Sequence, residues 1–111
     1  MNLLVQGSST FSDYPVIIRA MGVALSDVTD ELTIYSLGPH KLNENLREFV
    51  NKTEGSLKSR GIKIKLIMVP VSQAISISVD KMYYFCNNGE KLSAIGHQFD
   101  TAGKEVLVFR F

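Results

Sequence analysis

Cysteine occurs once in this chain, at Cys86, which excludes an internal disulfide framework and a cysteine-rich zinc site. The thiol sits in the apolar run Met82-Tyr83-Tyr84-Phe85-Cys86, where it is expected to act as a small buried hydrophobe and not as a nucleophile. Charge of one sign is scarce as well: twelve Lys and Arg against eleven Asp and Glu leave a net charge of +1. With no block of like charges to draw in a polyanion, nucleic acid is not expected as a partner. No window is apolar over the length that spans a bilayer, and Met1-Asn2-Leu3-Leu4-Val5-Gln6-Gly7 lacks the basic and long apolar regions of a secretion signal. No membrane contact is expected, and the cytoplasm is the expected location. The two histidines, His40 and His97, have no partner at metal-ligand or catalytic spacing. No catalytic residue, metal or cofactor is expected.

What remains is the composition of an ordinary globular chain. Its 111 residues, 45% hydrophobic and 21% charged, make one domain over 1–111, too short for two cores and too apolar for disorder. Folding at this size hides about 65% of the surface that the unfolded chain exposes.

Leu3 to Gln6 is a short apolar run ended by glycine, which predicts a strand buried on both faces. Asp13 can cap a helix with Pro15 in its first turn, and Tyr14, Ile17, Ile18, Met21 and Leu25 put one apolar face on residues 14 to 27. Leu32 to Tyr35 predicts a second strand, stopping near Gly38-Pro39. Leu42, Leu46, Phe49, Val50, Thr53 and Leu57 predict a second helix from about 41 to 58, weakened and frayed where Gly55 interrupts. Ile62 to Val69 is the third strand. Residues 71 to 80 read two ways, since Ile75, Ile77 and Val79 alternate like a strand while the surrounding pattern calls for a short helix; the helix is preferred. Met82 to Cys86 is the fourth strand, followed by the turn Asn87-Asn88-Gly89. Leu92, Ile95, Phe99 and Ala102 define a helix ended by Gly103, and Glu105 to Phe111 is the last strand.

Strands alternating with helices imply parallel pairing through right-handed crossovers. The expected fold is α/β: a single doubly wound, mainly parallel five-stranded sheet with helices on both faces, Rossmann-like. In such a sheet a ligand lies outside the carboxyl ends of the strands where their order reverses, and loops 7 to 13, 36 to 41 and 87 to 90 emerge there.

The order of elements, together with Leu3-Leu4-Val5-Gln6-Gly7-Ser8 and Thr10-Phe11-Ser12-Asp13-Tyr14, resembles the SLOG superfamily of Rossmann-like nucleotide-binding domains, and within it the YspA-like branch. Members of that branch open with a hydrophobic strand, Gly-Ser-Arg and a Phe-x-Asp-Tyr stretch. The resemblance spans nearly the whole chain as topology, and its specific part is about ten residues. It implies a nucleotide or nucleotide-derived ligand held by Gly7, Ser8, Ser9, Thr10, Gly38, Asn87, Asn88 and Gly89. Two departures make this a degenerate member. Ser9 stands where the family has a phosphate-holding arginine, and Ser36-Leu37-Gly38-Pro39-His40-Lys41-Leu42-Asn43 keeps one glycine and no acidic residue of the motif Gly-Gly-Ala-x-Gly-Ala-Asp.

The first loop has a reading that needs no family. Gly7 permits a tight turn and close backbone approach, exposed amides at a helix N-terminus favour an anion, and Ser8, Ser9 and Thr10 add hydroxyl donors. The same residues also build an ordinary strand-to-helix turn. Elsewhere the structural readings come first. Lys58, Arg60, Lys63 and Lys65 keep an edge soluble. Glu44, Glu48 and Lys52 form a solvated ladder on a helix, and Tyr83, Tyr84, Phe85, Phe109 and Phe111 pack a core in preference to a base-stacking platform.

Two functions from different classes follow. The first is a small non-catalytic binding module for a nucleotide-like molecule at the carboxyl edge of the sheet. The second keeps the fold and works through its surface, by contact with a protein partner or as a homo-oligomer, with Tyr35, Phe111 and the last strand as contact points. The resemblance implies that such stand-alone domains occur in phage and mobile-element genomes, which would place the protein in a host cytoplasm. A phosphoribohydrolase, the activity of some SLOG relatives, would need a pocket acid or nucleophile that the sequence does not offer.

Overall fold

The computed structural model describes residues 1–11 and 13–111. Ser12, part of the candidate turn, lies outside the described residues. Five strands, β1 (Asn2–Gly7), β2 (Glu31–Ser36), β3 (Lys63–Met68), β4 (Lys81–Cys86) and β5 (Glu105–Arg110), form one sheet in the order β3-β2-β1-β4-β5. Every pairing is parallel. The helices are α1 (Tyr14–Ser26), α2 (His40–Ser59) and α3 (Ala94–Thr101), with a 3₁₀ helix over Val71–Ser76.

Local chemistry sets the boundaries. The Asp13 carboxylate accepts the Val16 N–H, satisfying one donor that the first helical turn leaves free, and Pro15 sits where no N–H is needed. Ser93 caps α3 in the same manner, accepting from Gly96. The helix α2 runs unbroken through Gly55 to Ser59, so the expected fraying does not occur. Leu57 is buried beyond the glycine and holds the last turn to the core, and tertiary packing outweighs a propensity loss of about 1 kcal/mol. Leu92 lies ahead of α3 instead of inside it, and packs against that helix's side of the sheet.

Residues 71 to 80 hold the short helix that the sequence prefers over a strand, in 3₁₀ and not α form, over Val71–Ser76. The segment must return along the length of a six-residue strand, about 20 Å, and ten residues of α-helix would cover only about 15 Å. The 3₁₀ turns over Val71–Ser76, followed by an extended Ile77 and irregular residues to Asp80, make up the distance with their longer rise of about 2 Å per residue.

The two sides of the sheet differ. Leu3, Val5, Leu32, Ile34, Ile64, Tyr83 and Phe85 pack under α1 and α2 in the larger core, while Leu4, Met82, Tyr84 and Cys86 pack with Phe99 of α3 in a smaller one. The aromatics are core, as the sequence predicts: Tyr83 and Phe85 are fully buried, and Phe109 stacks 5.5 Å from Phe85. Lys63 and Lys65 are exposed on the edge strand β3. Among the described residues no helix is long and apolar enough to cross a membrane.

Candidate functional site

The strand order reverses between β1 and β4, so the chain leaves both strands side by side at their carboxyl ends. The Ser8 N–H donates to the Phe85 carbonyl at 2.8 Å, and the Phe11 N–H returns to the Ser8 carbonyl at 3.1 Å. That closes a turn over 8–11 and drives the Phe11 ring into the core, edge-on to Phe85 at 5.7 Å and to Phe111 at 5.3 Å. One buried aromatic thereby fixes the loop that carries the hydroxyls.

Gly7 packs against the neighbouring loop. Its N–H donates to the Gly38 carbonyl at 2.9 Å, and a Cβ there would lie 3.3 Å from both Leu42 Cδ2 and Pro39 Cδ. The glycine lets the two neighbouring loops close on each other. Gly38 holds φ +85°, a left-handed conformation that suits glycine, and its N–H donates to Ser36 Oγ. It touches the candidate turn through main chain only.

The structure does bring Ser8, Thr10, Asn87 and Gly89 together, around a residue that the sequence reading passed over. Thr10 Oγ1 donates to Glu90 Oε1 at 3.1 Å, and the Asn87 N–H donates to the same oxygen at 2.9 Å. Ser8 Oγ lies 3.0 Å from Thr10 Oγ1, and Asn87 Nδ2 reaches that hydroxyl at 3.5 Å. Asn87 Oδ1 in turn accepts the Gly89 N–H at 3.0 Å, which folds the loop back on itself. Ser9 and Asn88 stay exposed at the two tips. The Asn87 amide above all holds the Glu90 carboxyl below the ordinary carboxylate range; burial opposes it, and the Ser8 and Thr10 hydroxyls and the Arg110 guanidinium add smaller lowering effects.

Arg110 is the second residue that the sequence reading missed. Its Nη1 donates to the Asn87 carbonyl at 2.7 Å and the Glu90 carbonyl at 3.0 Å, and lies 3.4 Å from Cys86 Sγ. The last strand therefore clamps the 87–90 loop. Gln6 and Ser93 add a tie beneath it, Ser93 Oγ donating to Gln6 Oε1 at 2.6 Å. A signal for Glu90 was present: an acid three residues after Asn87 can reach back to that amide across a tight turn.

Catalytic equipment is sparse here. Burial pushes the Cys86 thiol up, with Arg110 opposing, so the thiolate is disfavoured. His40 is the first residue of α2, exposed, and pairs with Glu44 at 2.8 Å, while His97 is exposed on α3. Glu48 pairs with Lys52 at 3.0 Å as a surface ladder. Asp80 accepts the Asn2 N–H at 2.7 Å, a structural contact. Among the described residues no three His, Cys, Asp or Glu side chains gather as a metal site. An apolar cleft of about 340 Å³, lined by Ile75, Ile77, Val79, Phe99, Ala102 and Lys104, lies toward the opposite end of the sheet, where the chain enters β4 and β5.

This strand order, with helices on both faces, defines a Rossmann-like α/β domain whose switch-point loop is polar and internally bonded. No protein-family model, curated protein or solved structure matches the chain.

Proposed function

We propose that the chain is a non-catalytic interaction module: a Rossmann-like scaffold that has closed its nucleotide edge and works through protein contacts at its surface. The observation that carries this reading is the Glu90 carboxylate on the Asn87 N–H and the Thr10 hydroxyl. Those donors would otherwise face a phosphate. A carboxylate there takes the hydrogen bonds and adds a fixed negative charge that repels an incoming anion. Ser9 in place of an arginine leaves the 8–11 turn without a cation of its own.

The competing reading, recognition of a nucleotide at this edge, draws support from the reversal of strand order between β1 and β4. It requires Glu90 to swing out. A thermal-shift titration against a panel of nucleotides separates the two. A nucleotide present at about 100 times its Kd adds about 2.7 kcal/mol, a rise of roughly 10 °C or more for a domain of this size. The closed-edge reading expects no shift for the wild type. A rise that the near-isosteric Thr10→Val abolishes overturns it in favour of nucleotide recognition.

A further inference from the structure

The sheet ends in two edges that the sequence treats differently. At β3 the exposed side chains include Lys63 and Lys65, charges that discourage pairing with another strand. At β5 the run Val106-Leu107-Val108-Phe109 is uninterrupted by charge, proline or glycine, with Glu105 and Arg110 only at its ends. Val108 is 40% exposed.

The parallel ladder fixes which main-chain groups are free. The Phe111 N–H donates to the Cys86 carbonyl, and in a parallel pair alternate residues turn both N–H and C=O the same way. Residues 105, 107 and 109 therefore face β4. Val106, Val108 and Arg110 present their main-chain groups outward, and among the described residues nothing from this chain pairs with the Val106 or Val108 N–H.

We infer that β5 is a homodimer edge, pairing antiparallel with β5 of a second copy about a two-fold axis through Val108 to give one continuous sheet. The inference rests on the reading of the chain as an interaction module and names its partner. A two-fold axis normal to the sheet keeps each face of one copy continuous with the same face of the other, so only residues of like parity can meet. With Val108 on the axis, Val108 meets Val108, and Val106 meets Arg110 of the second copy. Each of these is a pair whose outward groups exchange two hydrogen bonds, about six in all. On the side of the larger core, Leu107 meets Phe109 of the second copy, and both are only partly buried in one chain. The adjacent symmetric register, centred on Leu107, would set Lys104 against Arg110. Like charges directly opposite are unfavourable, so the end residues favour the Val108 register over that one.

Sedimentation of the full chain at about 100 µM is expected to give twice the 12.3 kDa of one chain. Val108→Lys sets two like charges directly opposite each other at the axis, and Val108→Pro deletes an N–H that points away from β4. Each is expected to raise the dimer Kd about 100-fold or more while far-UV circular dichroism still reports the folded domain. Mild oxidation of Val108→Cys is expected to link two chains, whereas Leu107→Cys, which meets residue 109, stays unlinked. A monomeric wild type overturns the proposal, as does a dimer that survives both Val108 variants, or Leu107→Cys linking in preference to Val108→Cys. Nucleotide stabilisation of the wild type would sink the closed-edge reading and leave this pairing standing, and a monomer would do the reverse.

Discussion

The side of the sheet under α1 and α2 and the side under α3 share the same strands but are built to different depths. Under α1 and α2 the packed residues run from Leu3 through Leu57 to Phe85 and include the two largest fully buried side chains, Tyr83 and Phe85. Under α3 the fully packed set is Leu4, Val79, Met82, Tyr84, Cys86 and Phe99. The crossover from β3 to β4 contributes only a 3₁₀ helix, so Ile67 of β3 and Val71 and Ile75 of that helix stay exposed. Stability is thus concentrated on one face, and the other has surface to spare.

The largest expected effect tests that asymmetry directly. Phe85→Ala should cost about 3–5 kcal/mol, the range for emptying a close-packed aromatic site. Phe99→Ala, at the margin of the thinner layer where neighbours can relax, should fall below it, at about 2 kcal/mol. Urea melts of both variants measure the difference, and equal losses would break the comparison. Next is a defect within the denser face. The Tyr83 hydroxyl is buried without a hydrogen-bond partner among the described residues, and burial pushes its pKa up. Tyr83→Phe removes an orphaned polar group and should raise stability by about 1 kcal/mol. A loss in the melt would mean that the hydroxyl has a partner. The smallest effect concerns the polar edge that both faces share. The Glu90 pKa is lowered in the folded state, so its contribution is present above the unfolded carboxyl pKa, about 4.3. It fades as pH falls through the lower folded value. The wild type should therefore melt slightly above Glu90→Gln at neutral pH, and the gap should close below the carboxylate range. A gap independent of pH would show that the charge is not what holds the loop.

Hydrophobic periodicity made all five strands, all three α-helices and the parallel sheet legible, because each element has one face that must be buried. The Asp13 cap and the lysine-guarded edge were legible for local reasons. The 71–80 segment was legible as a short helix but not as a 3₁₀ one, since its rise answers to the distance between two strand ends and not to its own pattern. At the candidate site the loops that the sequence singled out do meet at the carboxyl edge of the sheet, but the bonds within them were not legible. Gly7 looked like a ligand glycine and is a packing glycine between Leu42 and Pro39. Glu90's local reach to the Asn87 amide had a signal in the sequence, whereas its contact with Thr10 and the whole role of Arg110 did not, because they arise from tertiary placement: one reaches across from β4's loop to Thr10, the other from β5 to the Asn87 carbonyl.

The Glu90 contact has a consequence in terms of effective concentration. A group tethered by three residues to the amide it occupies never dilutes, and even a short flexible tether presents its end at about millimolar concentration. In the turn clamped by Arg110 the local value is higher still, because little freedom is left to lose. A dissolved phosphate must outcompete that resident carboxylate at every concentration, so its apparent affinity falls in proportion to the resident's own occupancy. On the proposed closed-edge reading, the 87–90 loop carries its own competitor.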